Sequence, residues 1–390
     1  MVMTGSTSDD LIYLDHNATT PLAPEVLDAM LPYLTQHYGN PSSDHPLGHR
    51  AHQAVEDARE QVASLIGAEV GEIIFTSGGT ESNNIAIRGT AATADPGRRR
   101  IVTSQVEHPA TARPCDLLET QGWTISRMPV SATGTLDPET LIESLGADVA
   151  LLTVMLAQNE TGAIMPIAPV TSAARRRGAV THTDAAQAIG KIEVDVDSLG
   201  VDLLSIAGHK CYAPKGIGVL YVRSGTPLEP VLLGGGQERG LRPGTENVAS
   251  IVGLGAACHL ARTRVGVEAQ RLRTLRDQLW QSLSDRIPGI ERHTPMQNSL
   301  PNTLMVSFPA VLGRDVLTHA TSVAASTGSA CHAGQDTPGA TLLAMGVPPD
   351  VALGAVRLSL GHDNTPADID AASDALARAF QSITEAHGAR

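Results

Sequence analysis

At 390 residues, 42% of them hydrophobic, the chain is long enough to bury a sizeable core and too apolar to be disordered, and two domains, or one large domain with a smaller one appended, are expected. A formal net charge of −13, with no basic run longer than the triplets Arg98-Arg99-Arg100 and Arg175-Arg176-Arg177, argues against direct nucleic-acid binding; both triplets read as solvated turns or helix ends. Four scattered cysteines without a CxxC pair argue against a disulfide framework and against a zinc site, so no metal is expected.

The first ten residues are polar and acidic with no apolar signal core, and no apolar run approaches the ~20 residues of a membrane span, so a cytoplasmic protein with no membrane partner is expected. From about residue 72 to 222, short β-branched runs at 72–76, 100–104, 149–155, 179–183, 202–206 and 217–222 alternate with helix-like stretches. This alternation predicts an α/β domain with a mostly parallel sheet, in which ligands sit beyond the C-terminal strand ends. Polar residues gather at those ends.

After the first strand, Ser77-Gly78-Gly79-Thr80-Glu81 opens a helix whose free N–H groups, with the Thr80 hydroxyl, suit a phosphate; a plain strand-to-helix turn explains Gly79 and Thr80 equally well. Glu107-His108 follows the second strand. His108 stacked on an aromatic ring would move protons, while a lone histidine is also an ordinary polar residue at a strand end. Gln158-Asn159-Glu160 follows the next strand, then Asp184 with Gln187 three residues on, then His209-Lys210. Alone, Asp184 reads as a helix cap and Lys210 as a solvated strand edge. Together they suggest pyridoxal phosphate, which needs a lysine to hold its aldehyde as a Schiff base and a carboxylate to keep its pyridine nitrogen protonated.

Beyond residue 262 the pattern becomes a long amphipathic helix over 267–286, strands at 302–308 and 355–360, and a final helix with Thr365 as N-cap and Pro366 in its first position. Ile369, Leu376, Phe380 and Ile383 form its apolar stripe. A smaller α+β domain is expected from residues 1–20 and 263–390, beside a large domain over 21–262. Within the smaller domain, Cys331 lies in Ser326-Thr327-Gly328-Ser329-Ala330-Cys331-His332-Ala333-Gly334, small residues that pack no core and read as a flexible loop. A buried structural cysteine has larger apolar neighbours, so Cys331 is the candidate nucleophile and Cys115, Cys211 and Cys258 read as structural. His332 or the cofactor region would lower the Cys331 thiol pKa.

Four motifs, Tyr13-Leu14-Asp15-His16-Asn17-Ala18-Thr19-Thr20-Pro21, Phe75-Thr76-Ser77-Gly78-Gly79-Thr80-Glu81-Ser82-Asn83-Asn84, Gln158-Asn159-Glu160-Thr161-Gly162 and Gly234-Gly235-Gly236-Gln237-Glu238-Arg239, resemble those of cysteine desulfurases of the NifS/IscS type, and selenocysteine lyases share them. The likeness runs from about residue 13 to 370. It implies a fold-type I pyridoxal 5'-phosphate enzyme related to class V aminotransferases, acting as a homodimer on L-cysteine to form L-alanine and a persulfide on Cys331 for an acceptor protein. On this resemblance Lys210 holds the cofactor, Asp184 pairs with its pyridinium, His108 stacks on the ring as acid/base, and Gln187 bonds its phenolic oxygen. Thr80 and His209 hold the phosphate, Thr245 reaches the phosphate of the neighbouring subunit, and Asn159 and Arg357 grip the substrate carboxylate.

One position departs from the pattern: Ala207 stands where a serine hydroxyl often binds the phosphate, and Ser205, on the same side of the strand, sits too deep to replace it. Ala207 and the Ser-Ala-Cys-His-Ala-Gly context keep selenocysteine lyase as an alternative, and a catalytically idle sulfur-carrier or scaffold subunit is a second one. The acceptor pathway stays open among iron–sulfur cluster assembly, tRNA thiolation, DNA phosphorothioation and small-molecule thiolation. The interval between Cys331 and Arg357, shorter than in long-loop cluster-assembly enzymes, weighs somewhat against the first.

Overall fold

Seven strands form the central sheet of the computed structural model, which describes residues 11–327 and 337–388. Their spatial order is Ile73–Thr76, Gly218–Val222, Leu203–Ala207, Val180–Asp184, Val149–Thr153, Arg100–Ser104 and Thr124–Met128. Only Gly218–Val222 runs against its neighbours; every other pairing is parallel. Strands covered on both faces must be apolar on both, and every residue of Val149–Thr153, Leu203–Ala207 and Gly218–Val222 is buried. Successive side chains feed different cores: Ile73 and Phe75 join one apolar cluster with Val55, Val62 and Leu254, whereas Ile74 joins another with Ile85.

Thr124–Met128 is the strand that the sequence pattern does not predict. It lies at the sheet edge, with Thr124 exposed and Arg127 paired to Asp116 and Glu119, so its polar residues carry no burial signal. The two arginine triplets lie at a strand start and a helix end, and they meet: Arg98 Nη2 donates to the Arg177 carbonyl at 2.8 Å.

A second, antiparallel sheet is ordered Ala355–Ser359, Thr303–Ser307, Glu291–Arg292, and the parallel pair Ile12–Tyr13 and Val323–Ala324 accompanies it. Leu14, Leu304, Val356, Leu358, Ile369 and Leu376 are among the residues of its core. The last helix, Pro366–Gly388, starts where expected: the Thr365 backbone N–H and hydroxyl donate to Asp368 Oδ2 at 2.8 and 2.9 Å, and the Asp368 N–H returns to Thr365 Oγ1 at 3.3 Å.

The helix expected from residue 267 begins instead at Val248 and runs unbroken to Arg286, 39 residues. Its first half hides from periodicity because small residues there are buried against two other helices. A Cβ at Gly253 would lie 2.6 Å from Met30 Sδ, and one at Gly255 2.7 Å from Ala58 Cα, so glycines that weaken a helix intrinsically are what let these helices touch. Ile251, Leu254, Ala257 and Cys258 pack in the large core, and Leu272, Leu275, Leu279 and Leu283 in the small one. We propose the division into two domains, at 262/263, at this changeover, with residues 1–20 on the smaller side because Leu14 packs there.

Cys115, Cys211 and Cys258 are free and buried, and burial pushes the Cys115 and Cys211 thiols up to about 12. Among the described residues no helix is long and apolar enough to cross a membrane.

Candidate active site

The parallel strands deliver their trailing residues to one cavity of about 330 Å³. Gly79, Thr80, His108, Asn159, Asp184, Gln187, Ala207, His209 and Lys210 line it, together with Asn17, Ala18 and Arg357. Nine site residues expected from sequence, Gly79, Thr80, His108, Asn159, Asp184, Gln187, His209, Lys210 and Arg357, thus share one cavity.

Lys210 ends the short turn Gly208–Lys210, and its Nζ donates to the Asn17 and Ala18 carbonyls at 2.6 and 2.7 Å. Burial lowers its pKa to about 8; Arg357 adds to this, and Asp15 and Asp184 oppose it. A neutral, nucleophilic amine is therefore populated under mild conditions. Competitive acetylation of the cofactor-free protein should show Lys210 half-reactive near pH 8, with reactivity rising as pH rises and the amine deprotonates; a midpoint near an ordinary lysine's, about 10.4, would contradict this. Two residues on, Tyr212 takes φ 65°, costly for a bulky side chain. Its N–H donates to Thr20 Oγ1 at 2.7 Å and its ring stacks on His362 at 4.0 Å, which holds the turn.

Asp184 is the last residue of its strand and only 8% exposed. Asn83 Nδ2 donates to its Oδ2 at 2.7 Å and the Ala186 N–H to its Oδ1 at 2.9 Å, so the carboxylate is fixed from two sides. His108 caps the helix Pro109–Thr120: its Nδ1 accepts the Ala110 N–H at 3.1 Å, which puts the proton of the neutral ring on Nε2. Burial lowers its pKa, Asp184 opposes, and Lys210 adds a smaller lowering.

The helix Gly79–Thr93 opens on Gly78 at φ 149°, a conformation that favours glycine, and its first-turn N–H groups have no partner within the helix. A Cβ on Gly79 would lie 3.3 Å from the Ala207 Cβ, so two small residues leave room at this helix end. Ser205 does not substitute for the missing hydroxyl, because it is fully buried and its Oγ bonds His182 Nε2 at 3.0 Å. His209 stands on the same wall with Nδ1 3.1 Å from Thr19 Oγ1, and burial, with Lys210 and Lys215, lowers its pKa to about 4.

Arg357 comes from the centre of Ala355–Ser359 and is 6% exposed. Its Nη1 donates to the Asn159 carbonyl at 3.0 Å and its Nη2 to Asp15 Oδ1 at 2.7 Å, while its buried Nε has no partner among the described residues. Thr245 is exposed and does not line the cavity. Cys331 lies outside the described residues; Ser326, five residues earlier, exchanges backbone hydrogen bonds with Arg357.

Sequence reasoning gave no role to three residues that organise this cavity. Asn17 offers its carbonyl to Lys210 and Gln187, and its side chain bonds Lys191, Asn302, Thr303 and the Asn159 carbonyl. Lys191, buried, donates to Gln187 Oε1 at 2.6 Å and to Asn17 Oδ1 at 2.8 Å, and burial lowers its pKa strongly. Glu107, whose pKa burial raises to about 8, accepts the Met155 N–H with both carboxylate oxygens at 3.1 Å. Asn17 lies inside a motif already singled out, but only the fold shows what it touches; the i,i+4 spacing of Gln187 and Lys191 was the other available signal.

A larger open recess of about 710 Å³ surrounds Arg59 and Glu238. Glu238 takes both guanidinium Nη atoms of Arg59 at 2.8 Å and the Phe75 N–H at 2.7 Å, pinning a segment in which Glu238 and Arg239 adopt φ 45° and 58°. Glu238→Ala should destabilise the protein by roughly 3 kcal/mol, read as a lower urea midpoint at unchanged slope, because it removes the buried carboxylate from a largely buried guanidinium and leaves Arg59 with the Glu56 pair and the Ile73 carbonyl. An unchanged midpoint would contradict this.

The class-V aminotransferase family model matches residues 12–372. The chain is 47% identical over 362 residues to a cysteine desulfurase of Trichormus azollae, covering 92% of this chain and 90% of that protein. Among solved structures, a NifS-like protein superposes with a TM-score of 0.89 at 35% identity, covering 96% of this chain and 99% of the other. SspA in complex with cysteine superposes with a TM-score of 0.79 at 34% identity, covering 89% and 98%.

Proposed function

Because the chain belongs to the class-V aminotransferase family, we propose that it is a pyridoxal 5'-phosphate-dependent cysteine desulfurase that converts L-cysteine to L-alanine and leaves the sulfur on Cys331 for transfer to an acceptor. The observation that carries this reading is the convergence of Lys210, Asp184, His108 and Arg357 on one cavity. The donor set suits the cofactor: an amine of lowered pKa, a fixed carboxylate, and a helix N-terminus left open by Gly79 and Ala207. Lys210, Asp184, His108, Gln187, Thr80, Gly79 and His209 would hold it. When bound, it supplies an electron sink for the bond-breaking at the substrate's Cα.

Each remaining task falls to the chain. Arg357, whose Nε has no partner among the described residues, and Asn159 bind the substrate carboxylate and orient the Cα–H bond toward Lys210. Lys210, neutral in part near pH 8, takes the Cα proton. His108 keeps a proton on Nε2 for transfer within the cavity. The Cys331 thiolate attacks the substrate sulfur: an S–S bond forms, the C–S bond breaks with its electrons going to carbon, Cβ takes a proton, and Lys210 returns one to Cα. L-cysteine and one thiol become L-alanine and one persulfide.

A homodimer is part of the reading. Thr245, exposed and outside its own cavity, supports a phosphate contact supplied by Thr245 of the partner subunit. Exposed Leu27, Leu31 and Leu34, at helical spacing on Pro24–Thr35, offer an apolar face for the second copy. We place the enzyme in the cytoplasm, where a thiol nucleophile stays reduced. Purified protein loaded with pyridoxal phosphate should form L-alanine from L-cysteine; failure to do so would refute the reading. Ala207, which leaves the phosphate wall without a hydroxyl, favours selenocysteine as the second substrate to assay, and turnover of selenocysteine alone would move the enzyme to the lyases.

A further inference from the structure

The Asp15 carboxylate stands 2.7 Å from Arg357 Nη2, in a pair whose side chains are 20% and 7% exposed. Arg357 comes from the strand Ala355–Ser359 and Asp15 from the segment just after Ile12–Tyr13, brought beside it by an isolated bridge between Asp15 and Ser359, so the contact is built by the fold rather than by a chance surface meeting. Of the five N–H donors of Arg357, one goes to Asp15 and one to the Asn159 carbonyl. The buried Nε–H has no partner among the described residues. A guanidinium committed in this way still has a donor edge for a carboxylate, and Asp15 need not leave when one arrives.

We propose that Asp15 is a fixed counter-anion that weakens the grip of Arg357 on the substrate carboxylate, an affinity-setting and positioning residue of the amino-acid site. The proposal rests on the reading of Arg357 as the carboxylate ligand. Two anions beside one buried guanidinium repel each other, so each binds it less tightly than it would alone. There is a catalytic reason for such damping. L-cysteine and L-alanine carry the same carboxylate, and tightening the hold on both binds substrate and transition state alike and slows product departure without accelerating chemistry. Asp15 and Arg357 also act on Lys210 in opposite senses, the anion raising and the cation lowering its pKa, with Asp184 the other anion in range.

The test uses propionate, which is L-alanine without its amino group and cannot exchange with Lys210. Its Kd is measured by ligand-observed NMR on the full-length, cofactor-loaded protein. Asp15→Asn, which keeps an acceptor oxygen and removes the charge, should bind propionate about tenfold more tightly, and KM for L-cysteine and the inhibition constant of L-alanine should fall together. Asp15→Glu, which keeps the charge, should stay within about threefold of wild type, and it decides the matter if the Asn variant does not fold: tightening in the Glu variant overturns the proposal. A second readout is independent of activity. In the cofactor-free Asn variant, the acetylation midpoint of Lys210 should move below the wild-type value, a shift that a merely structural role would not produce. Equal or weaker propionate binding in Asp15→Asn refutes the proposal while leaving the proposed reaction standing. Unchanged propionate binding in Arg357→Gln refutes the carboxylate assignment itself, and the proposal with it.

Discussion

Replacing Cys331 by alanine is expected to reduce L-alanine formation from L-cysteine by at least about a thousandfold while leaving the visible absorbance of the bound cofactor intact. The expectation follows from a division of labour. In the proposed reaction Lys210, Asp184 and His108 would hold a pyridine aldehyde and take a proton from Cα, but none of them can accept a sulfur atom. The three described thiols are buried, and Cys115 and Cys211 are pushed up to about 12, so neither supplies a thiolate near neutral pH. Cys258, also fully buried with its pKa raised well above the ordinary value, is excluded on the same ground. Turnover unchanged in Cys331→Ala would show that sulfur leaves without a protein nucleophile, as the selenocysteine alternative permits.

The second large effect is expected from Lys210→Ala, which should lose both the visible absorbance and, by about a thousandfold or more, the activity. Lys210 is the cavity's amine with a pKa near 8; Lys191, the other buried lysine nearby, is committed to Gln187 and Asn17 and does not line the cavity. A variant that keeps a titratable visible band would move the assignment to another amine. Together the two variants separate cofactor attachment from sulfur transfer: one loses colour and turnover, the other turnover alone.

Much of this architecture is legible in the sequence. Six of the seven strands of the large sheet stand out as apolar β-branched runs, and the position of polar residues just after them points to one edge of the sheet as the site. The exceptions have physical causes. Thr124–Met128 is a polar edge strand, and the first half of Val248–Arg286 is built from small residues whose burial reflects close helix contact rather than an apolar stripe. At the site, Lys210 and Asp184 are recognisable by chemistry and strand position. The Asp15 pair with Arg357 joins residues 342 positions apart, and the Lys191 network depends on a buried amine meeting two amide oxygens; neither leaves a periodic trace. Ser205 shows how a sequence argument can be completed by geometry, since its bond to His182 removes it from the phosphate wall.

The central claim is that sulfur passes from L-cysteine to Cys331. Incubation of the cofactor-loaded protein with one equivalent of L-cysteine, rapid alkylation and peptide mass spectrometry tests it directly. One added sulfur atom is expected on the peptide carrying Cys331, in step with one L-alanine released. L-alanine released while that peptide carries no added sulfur, or added sulfur found on Cys115, Cys211 or Cys258 instead, would contradict it.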